Sequence, residues 1–261
     1  MPLFIASLNS GSNGNCYYIG NGDDAVLIDA GISCTETEKR MRHIGLSMKT
    51  IKAIFISHEH TDHIKGLAVL ANKYKLPVYI TKATATAGPH MIKKLSKPFK
   101  ANDPVRVGAL TVIPFTKKHD AADPHSFIIT GNNITVGVFT DIGFACKEVI
   151  HNFGKCNAAF LEANYEEGML ESGAYPVYLK NRIRSENGHL SNNQALELFK
   201  NHRPGFMTHL LLAHLSKDNN DPALVQQLFT GIAKGVKIGI ASRNEPSAVF
   251  TIGGEIQMKM F

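Results

Sequence analysis

The stretch SHEHTDHIKG, residues 57–66, limits what this chain can fold into more than any other part of it. His58, His60, Asp62 and His63 stand in the pattern His-x-His-x-Asp-His, directly after the apolar run AIFIS at 53–57. If a strand gives way to a tight turn there, His58 and His60 can face one metal ion. Asp62 and His63 then turn toward a second position about 3.5 to 4 Å away. A chain that delivers such a loop from a buried strand is expected to be α/β, with its site outside the carboxyl ends of the strands.

The rest of the sequence agrees with that class. Short apolar runs at 25–29, 53–57, 110–115, 125–130, 134–140, 158–163 and 206–213 predict strands, and helical patterns fall at 35–44, 62–75, 82–96, 191–202 and 221–234. No low-complexity linker divides the 261 residues, so one domain spanning 1–261 is expected. The four cysteines, Cys16, Cys34, Cys146 and Cys156, lack the C-x-x-C spacing of thiolate zinc sites and the framework of small secreted domains. That usage fits a reducing compartment, and no apolar run approaches the length of a membrane span, so a soluble, cytoplasmic protein is expected. The formal charge of +6 is gathered in basic clusters at 93–100, 117–119 and 179–184, which gain meaning only beside a site.

An internal echo suggests two related halves. VLIDAG at 26–31 resembles GVFTDIG at 137–143, and AIFISH at 53–58 resembles LLLAH at 210–214. Two halves offering polar groups at strand ends would place a site at their junction. Further donors close later runs: His119 after PFTKK, Asp141 after GVFT and His214 after LLLA. His125 lies near His119, but it begins a run rather than ending one and is read as a supporting residue. His43, His90, His151, His202 and His209 belong to no constellation and are read as ordinary surface or core histidines.

Taken together these donors resemble the metallo-β-lactamase superfamily, whose dinuclear hydrolases combine H-x-H-x-D-H with a later His, a bridging Asp and a final His. The resemblance implies a four-layer αββα sandwich with two mixed sheets. It assigns His58, His60 and His119 to one metal, Asp62, His63 and His214 to the other, and Asp141 to the bridge. Two divalent ions per chain are implied, Zn or Mn, with Fe compatible. No cysteine ends the relevant strand, so a lactam-hydrolysing role is not expected. The ions name the reaction, hydrolysis by metal-activated water, and leave the substrate open.

Residues around the metals narrow the substrate. The superfamily's phosphodiesterase branch, typified by the transfer-RNA 3′-end processing nuclease, pairs a strand-end Glu with a His in a Gly-His-Ser/Thr-like motif. Here FLEAN supplies Glu162 and GHLSN supplies His189, a pair suited to protonating an alkoxide leaving group. Asp62, His189 and Glu162 are the expected catalytic residues. The runs SLNSGSNGNCYYI, YPVYLKNRIRSENGHLSNNQA and AHLSKDNN resemble the WalJ (YycJ)-like family of stand-alone nucleases, and the chain leaves no room for a β-CASP insertion. A dinuclear metal-dependent phosphodiesterase acting on nucleic acid is expected, a DNA exonuclease first, with no membrane partner; the resemblance itself leaves DNA against RNA and the end attacked open. Oligomeric state stays open.

Phosphate contacts are expected from two places. If the basic run before His189 is helical, Lys180 and Arg184 share a face while Arg182 points elsewhere. Ser10, Ser12 and Asn15 of the Gly-rich NSGSNGN could also offer donors to a phosphate. Ser191 and Gln194 match a capping box, so a helix should start just beyond His189. The competing expectation is an ester or thioester hydrolase of the glyoxalase or lactonase type with the same metals.

Overall fold

A computed structural model describes residues 1–88 and 94–253; His90 and Lys93 lie outside the described residues. Its strands form two seven-stranded sheets. The first runs, in spatial order, β14 (Phe250–Ile252), β1 (Leu3–Asn9), β2 (Cys16–Gly20), β3 (Ala25–Ile28), β4 (Ile51–Phe55), β5 (Val78–Tyr79) and β6 (Ser96–Lys97). The second runs β13 (Lys237–Ile240), β12 (His209–Ala213), β11 (Ala158–Glu162), β10 (Ile134–Phe139), β9 (His125–Gly131), β8 (Leu110–Thr116) and β7 (Val105–Val107).

Alternation along each strand feeds two different cores. Val26 and Ile28 of β3 enter the cluster between the sheets with Phe127, Phe160 and Leu211 of the second sheet, while Ala25 and Leu27 face the helical side. There they meet Met41 of α1 (Cys34–His43) and Leu67 and Leu70 of α3 (Leu67–Tyr74). On the far side, α5 (Lys147–Phe153), α8 (Asn192–His202) and α9 (Pro222–Thr230) cover the second sheet through Phe153, Phe199 and Phe229. Helix, sheet, sheet, helix is the expected αββα sandwich. β1 and β2, almost wholly buried, are not among the strands predicted from the sequence.

The two sheets share one topology. In each, the central strand, β3 or β10, is antiparallel to its neighbour on one side and parallel to its neighbour on the other. The first echo is therefore structural, since both Asp-x-Gly segments leave the central strand of a sheet. The second is corrected: β4 lies directly beside β3, whereas β12 lies one strand beyond β11, so the two strand-end histidines are not equivalent.

Three predicted helices change shape. The pattern at 62–75 divides into α2 (Thr61–Ile64) and α3, because the Gly66 N–H leaves the helix to donate to the Ala30 carbonyl at 2.8 Å. The pattern at 82–96 ends at Ala87 as α4 (Lys82–Ala87), and Ser96 belongs to β6. The last stops at Thr230, before Gly231. The capping box at α8 forms, with the Ser191 hydroxyl accepting from Gln194 N–H and the Gln194 side chain accepting from Ser191 N–H.

Candidate metal centre

Both Asp-x-Gly turns solve the same steric problem. Asp29, Asp141 and His214, each just past a strand, hold positive φ of 62°, 54° and 55°, a conformation that costs non-glycine residues and collects at functional sites. The glycines admit a neighbouring loop. A Cβ on Gly31 would stand 1.7 Å from the Asp62 carbonyl oxygen, and one on Gly143 would stand 1.8 Å from that of Glu186. Gly31 thus seats the histidine-rich loop, and Gly143 seats the segment leading to His189.

These turns bring together residues from six separate segments. Ligand atoms of His58, His60 and His119 lie within 4.8 Å of one another, as do those of Asp62, His63 and His214, and those of His58, His63 and Asp141. Asp141, Glu162, His189 and His214 form a fourth such group. His58 Nε2 lies 3.1 Å from His60 Nδ1, and His63 Nε2 lies 3.3 Å from Asp141 Oδ2. Asp62 Oδ2 stands 3.6 Å from His214 Nε2.

Most of the rings are oriented from behind. His63 Nδ1 donates to Asp29 Oδ2 at 2.7 Å, His119 Nδ1 to the Gly188 carbonyl at 3.0 Å, and His214 Nδ1 to Glu162 Oε1 at 3.0 Å. Each bond fixes a tautomer and turns the other nitrogen toward the centre. Among the described residues, His119 Nε2, Asp141 Oδ2 and His214 Nε2 are buried without a hydrogen-bond partner. Three convergent orphaned donor atoms suit divalent metal ions, because buried polar atoms are otherwise almost always paired.

Charge points the same way. Burial pushes His58 well down and holds His119 at about 4, leaving two neutral lone-pair donors. Burial also opposes charge on His63 and His214, yet Asp141 and its fellow carboxylates outweigh it, raising His63 well above the imidazole range and His214 to about 10. Asp141 itself stays ionised despite complete burial, held down by His214 and His63. A pocket that retains protons so strongly attracts a cation that displaces them.

Glu162 is fully buried, and both histidines of the repeated HLS tripeptide reach its Oε1, His189 Nδ1 at 2.8 Å and His214 Nδ1 at 3.0 Å. Its other oxygen accepts from the Ile142 and Leu190 N–H groups. Burial raises its pKa, but His189 leads the effects that bring it down to about 2. The His189 side chain is 19% exposed against 4% for His214, so His189 alone of the two is open to an incoming molecule.

The residues expected to contact phosphate stand as follows. Ser10 is buried, with its hydroxyl accepting from His214 N–H at 2.7 Å, and Asn15 is buried with its amide 3.1 Å from both Asp62 Oδ2 and His63 Nε2. These two set the ligands rather than reaching outward, while Ser12 is exposed. The basic run is helical, α7 (Val177–Ile183), and Lys180 and Arg184 do share a face, but both turn to Glu171. Arg182 Nε instead meets Asp120 Oδ2 at 2.5 Å, and Asp120 Oδ1 stands 3.3 Å from His119 Nε2. Arg182, expected to point elsewhere, is thus the basic side chain of this run tied to the rim of the centre. His125 donates to the Asp123 carbonyl, away from the centre.

Asp29, Ser57 and Lys117 are not among the site residues expected from the sequence. Ser57 donates to Asp29 through both its backbone N–H and its hydroxyl, each at 2.8 Å, and buried Lys117 donates to the Thr140 carbonyl at 2.7 Å, bracing the turn at Asp141. The Asp-x-Gly echo could have exposed Asp29.

A family model described as "Beta-lactamase superfamily domain" matches residues 24–214. Over 247 residues the chain is 35% identical to exodeoxyribonuclease YycJ of Bacillus anthracis, covering 92% of this chain and 94% of that protein. Over 239 residues it is 29% identical to exodeoxyribonuclease WalJ of Streptococcus pneumoniae, covering 89% of each. The crystal structure of Zn²⁺-bound PqqB from Methylobacterium extorquens shares the fold at a TM-score of 0.74 and 12% identity, over 96% of this chain and 100% of that one. The chain belongs to the metallo-β-lactamase superfamily and, within it, to the WalJ (YycJ)-like family.

Proposed function

We propose that the protein is a dinuclear metal-dependent phosphodiesterase that degrades nucleic acid, acting as a DNA exonuclease. The observation that carries this reading is the Glu162–His189 pair, a solvent-reachable imidazole held at 2.8 Å by a fully buried carboxylate beside the convergent donors. The relatives' names, exodeoxyribonuclease YycJ and exodeoxyribonuclease WalJ, support it.

His58, His60 and His119 would hold one ion and Asp62, His63 and His214 the other, with Asp141 between them; imidazole mixed with carboxylate suits Zn²⁺ or Mn²⁺, and Fe ions also. Bound there, such ions supply an activated water and neutralise charge on a phosphate. The chain's own contribution is proton delivery and placement. Glu162 accepts from His189 Nδ1 and so orients the ring, leaving Nε2 as the nitrogen that would serve the departing oxygen. Asn15 and Asp29 keep the first-half ligands from turning away, and Ser10 pins the backbone of His214. An ester or thioester hydrolase would have less use for a buried carboxylate that arms an exposed imidazole. Among the described residues no helix is long and apolar enough to cross a membrane.

End-labelled single- and double-stranded DNA and RNA, incubated with the protein and Mn²⁺ or Zn²⁺, test the proposal. Stepwise shortening of DNA from an end is expected. Metal-loaded protein that leaves every nucleic acid intact while turning over thioesters would replace it with the hydrolase reading.

A further inference from the structure

A second cavity, of about 420 Å³, opens beside the metal centre and includes Ser10 and Leu215, the residue after His214. It lies at the carboxyl ends of the adjacent parallel strands β12 and β13, where α/β sheets bind ligands. Its walls carry Ser216, Lys217, Ser242 and Arg243. Arg243 lines the cavity, and its Nη1, beneath the surface, has no hydrogen-bond partner among the described residues. A guanidinium that turns this unpaired donor into the cavity gains a charge-assisted hydrogen bond when an anion is there to accept it. Glu245 brings one opposing charge from an exposed position, whereas Asp218, beside Lys217, is engaged by the Tyr175 hydroxyl at 2.9 Å.

We propose that this cavity binds the terminal phosphate monoester of a nucleic-acid strand, placing the strand end a fixed distance from the centre. The inference rests on the nuclease reading. Two features favour an end over an internal linkage. A cavity of this size holds about one nucleotide, and a phosphate monoester carries close to two negative charges where a diester carries one. Ser10 links the two places, since it lines the cavity and its hydroxyl holds the His214 N–H. End recognition by Arg243 and Lys217 makes attack start from a terminus.

The test uses the metal-loaded full-length chain and three versions of one oligodeoxynucleotide, with a 5′-phosphate, a 3′-phosphate or hydroxyls at both ends. At subsaturating concentration one phosphorylated form is expected to be degraded about ten- to a hundredfold faster than the hydroxyl form, and which one reports the polarity. Arg243→Gln should bring that ratio close to one. The ratio compares two substrates on one preparation, so a reduced active fraction cancels. Should Arg243→Gln not fold, Lys217→Gln, at an exposed position, should lower the ratio severalfold. Equal rates on all three strands, or an unchanged ratio in a folded Arg243→Gln, overturn the proposal and leave the nuclease reading standing. No cleavage of any strand overturns both.

Discussion

Asp29 and Asp141 occupy the same place in the two halves, one step or two beyond the central strand, in a left-handed turn followed by glycine. Their surroundings are opposite. Asp29 has its oxygens taken by Ser57 N–H, the Ser57 hydroxyl and His63 Nδ1, whereas Asp141 Oδ2 is buried with no hydrogen-bond partner. The satisfied carboxylate orients a ligand; the unsatisfied one is itself available as a ligand. One local motif, used twice, thus yields a support and a participant, and the neighbouring strand decides which. Beside β3, β4 leads to a serine that serves Asp29; beside β10, β11 ends in Glu162, which reaches past Asp141 to His189 and His214.

Replacing Asp141 with Asn should give the largest effect, a loss of about a thousandfold or more in metal-dependent turnover, with less metal per chain by elemental analysis. Retained metal and turnover would rule out the proposed bridging role of Asp141 and erase the contrast with Asp29. His189→Ala should lower turnover by about 10² to 10⁴ with metal content unchanged. Because the His189 ring also lies within ligand range of Asp141 and His214, a drop in bound metal would reassign it from proton donor to ligand. Asp29→Asn should weaken metal affinity by about 10- to 100-fold, measured by titration with a competing chelator, since the amide no longer holds the same His63 tautomer. An effect as large as that of Asp141→Asn would mean that the two carboxylates are not distinguished by their satisfaction.

Smaller effects sharpen the picture at its edges. Ser10→Ala strips the acceptor from the buried His214 N–H and should cost about 1 to 3 kcal/mol of stability by denaturant unfolding. Arg182→Ala should lower the salt dependence of DNA binding by about one phosphate contact if the guanidinium leaves Asp120 for the substrate, and leave it unchanged if the pair is structural.

The donor types were legible in the sequence because H-x-H-x-D-H and its flanking apolar run are local, and the Ser191–Gln194 cap was legible for the same reason. The surroundings of the residues expected to contact phosphate were not. Ser10 and Asn15 look like loop donors on paper, and only the packing of the loop against His214 and Asp62 turns them inward. Arg182 and its neighbours Lys180 and Arg184 have identical chemistry in the sequence; the helix orientation sends two to Glu171 and one to Asp120.

The sequence by itself determined which residues could hold metal, the order in which they occur and the α/β class that would carry them, since each of these follows from spacing and periodicity within a short window. Only the tertiary structure decided which donors share a position and which carboxylate keeps an oxygen free of hydrogen bonds. Those outcomes depend on strand order and register between segments as far apart as Asp62 and His214, and such pairings have no local signature.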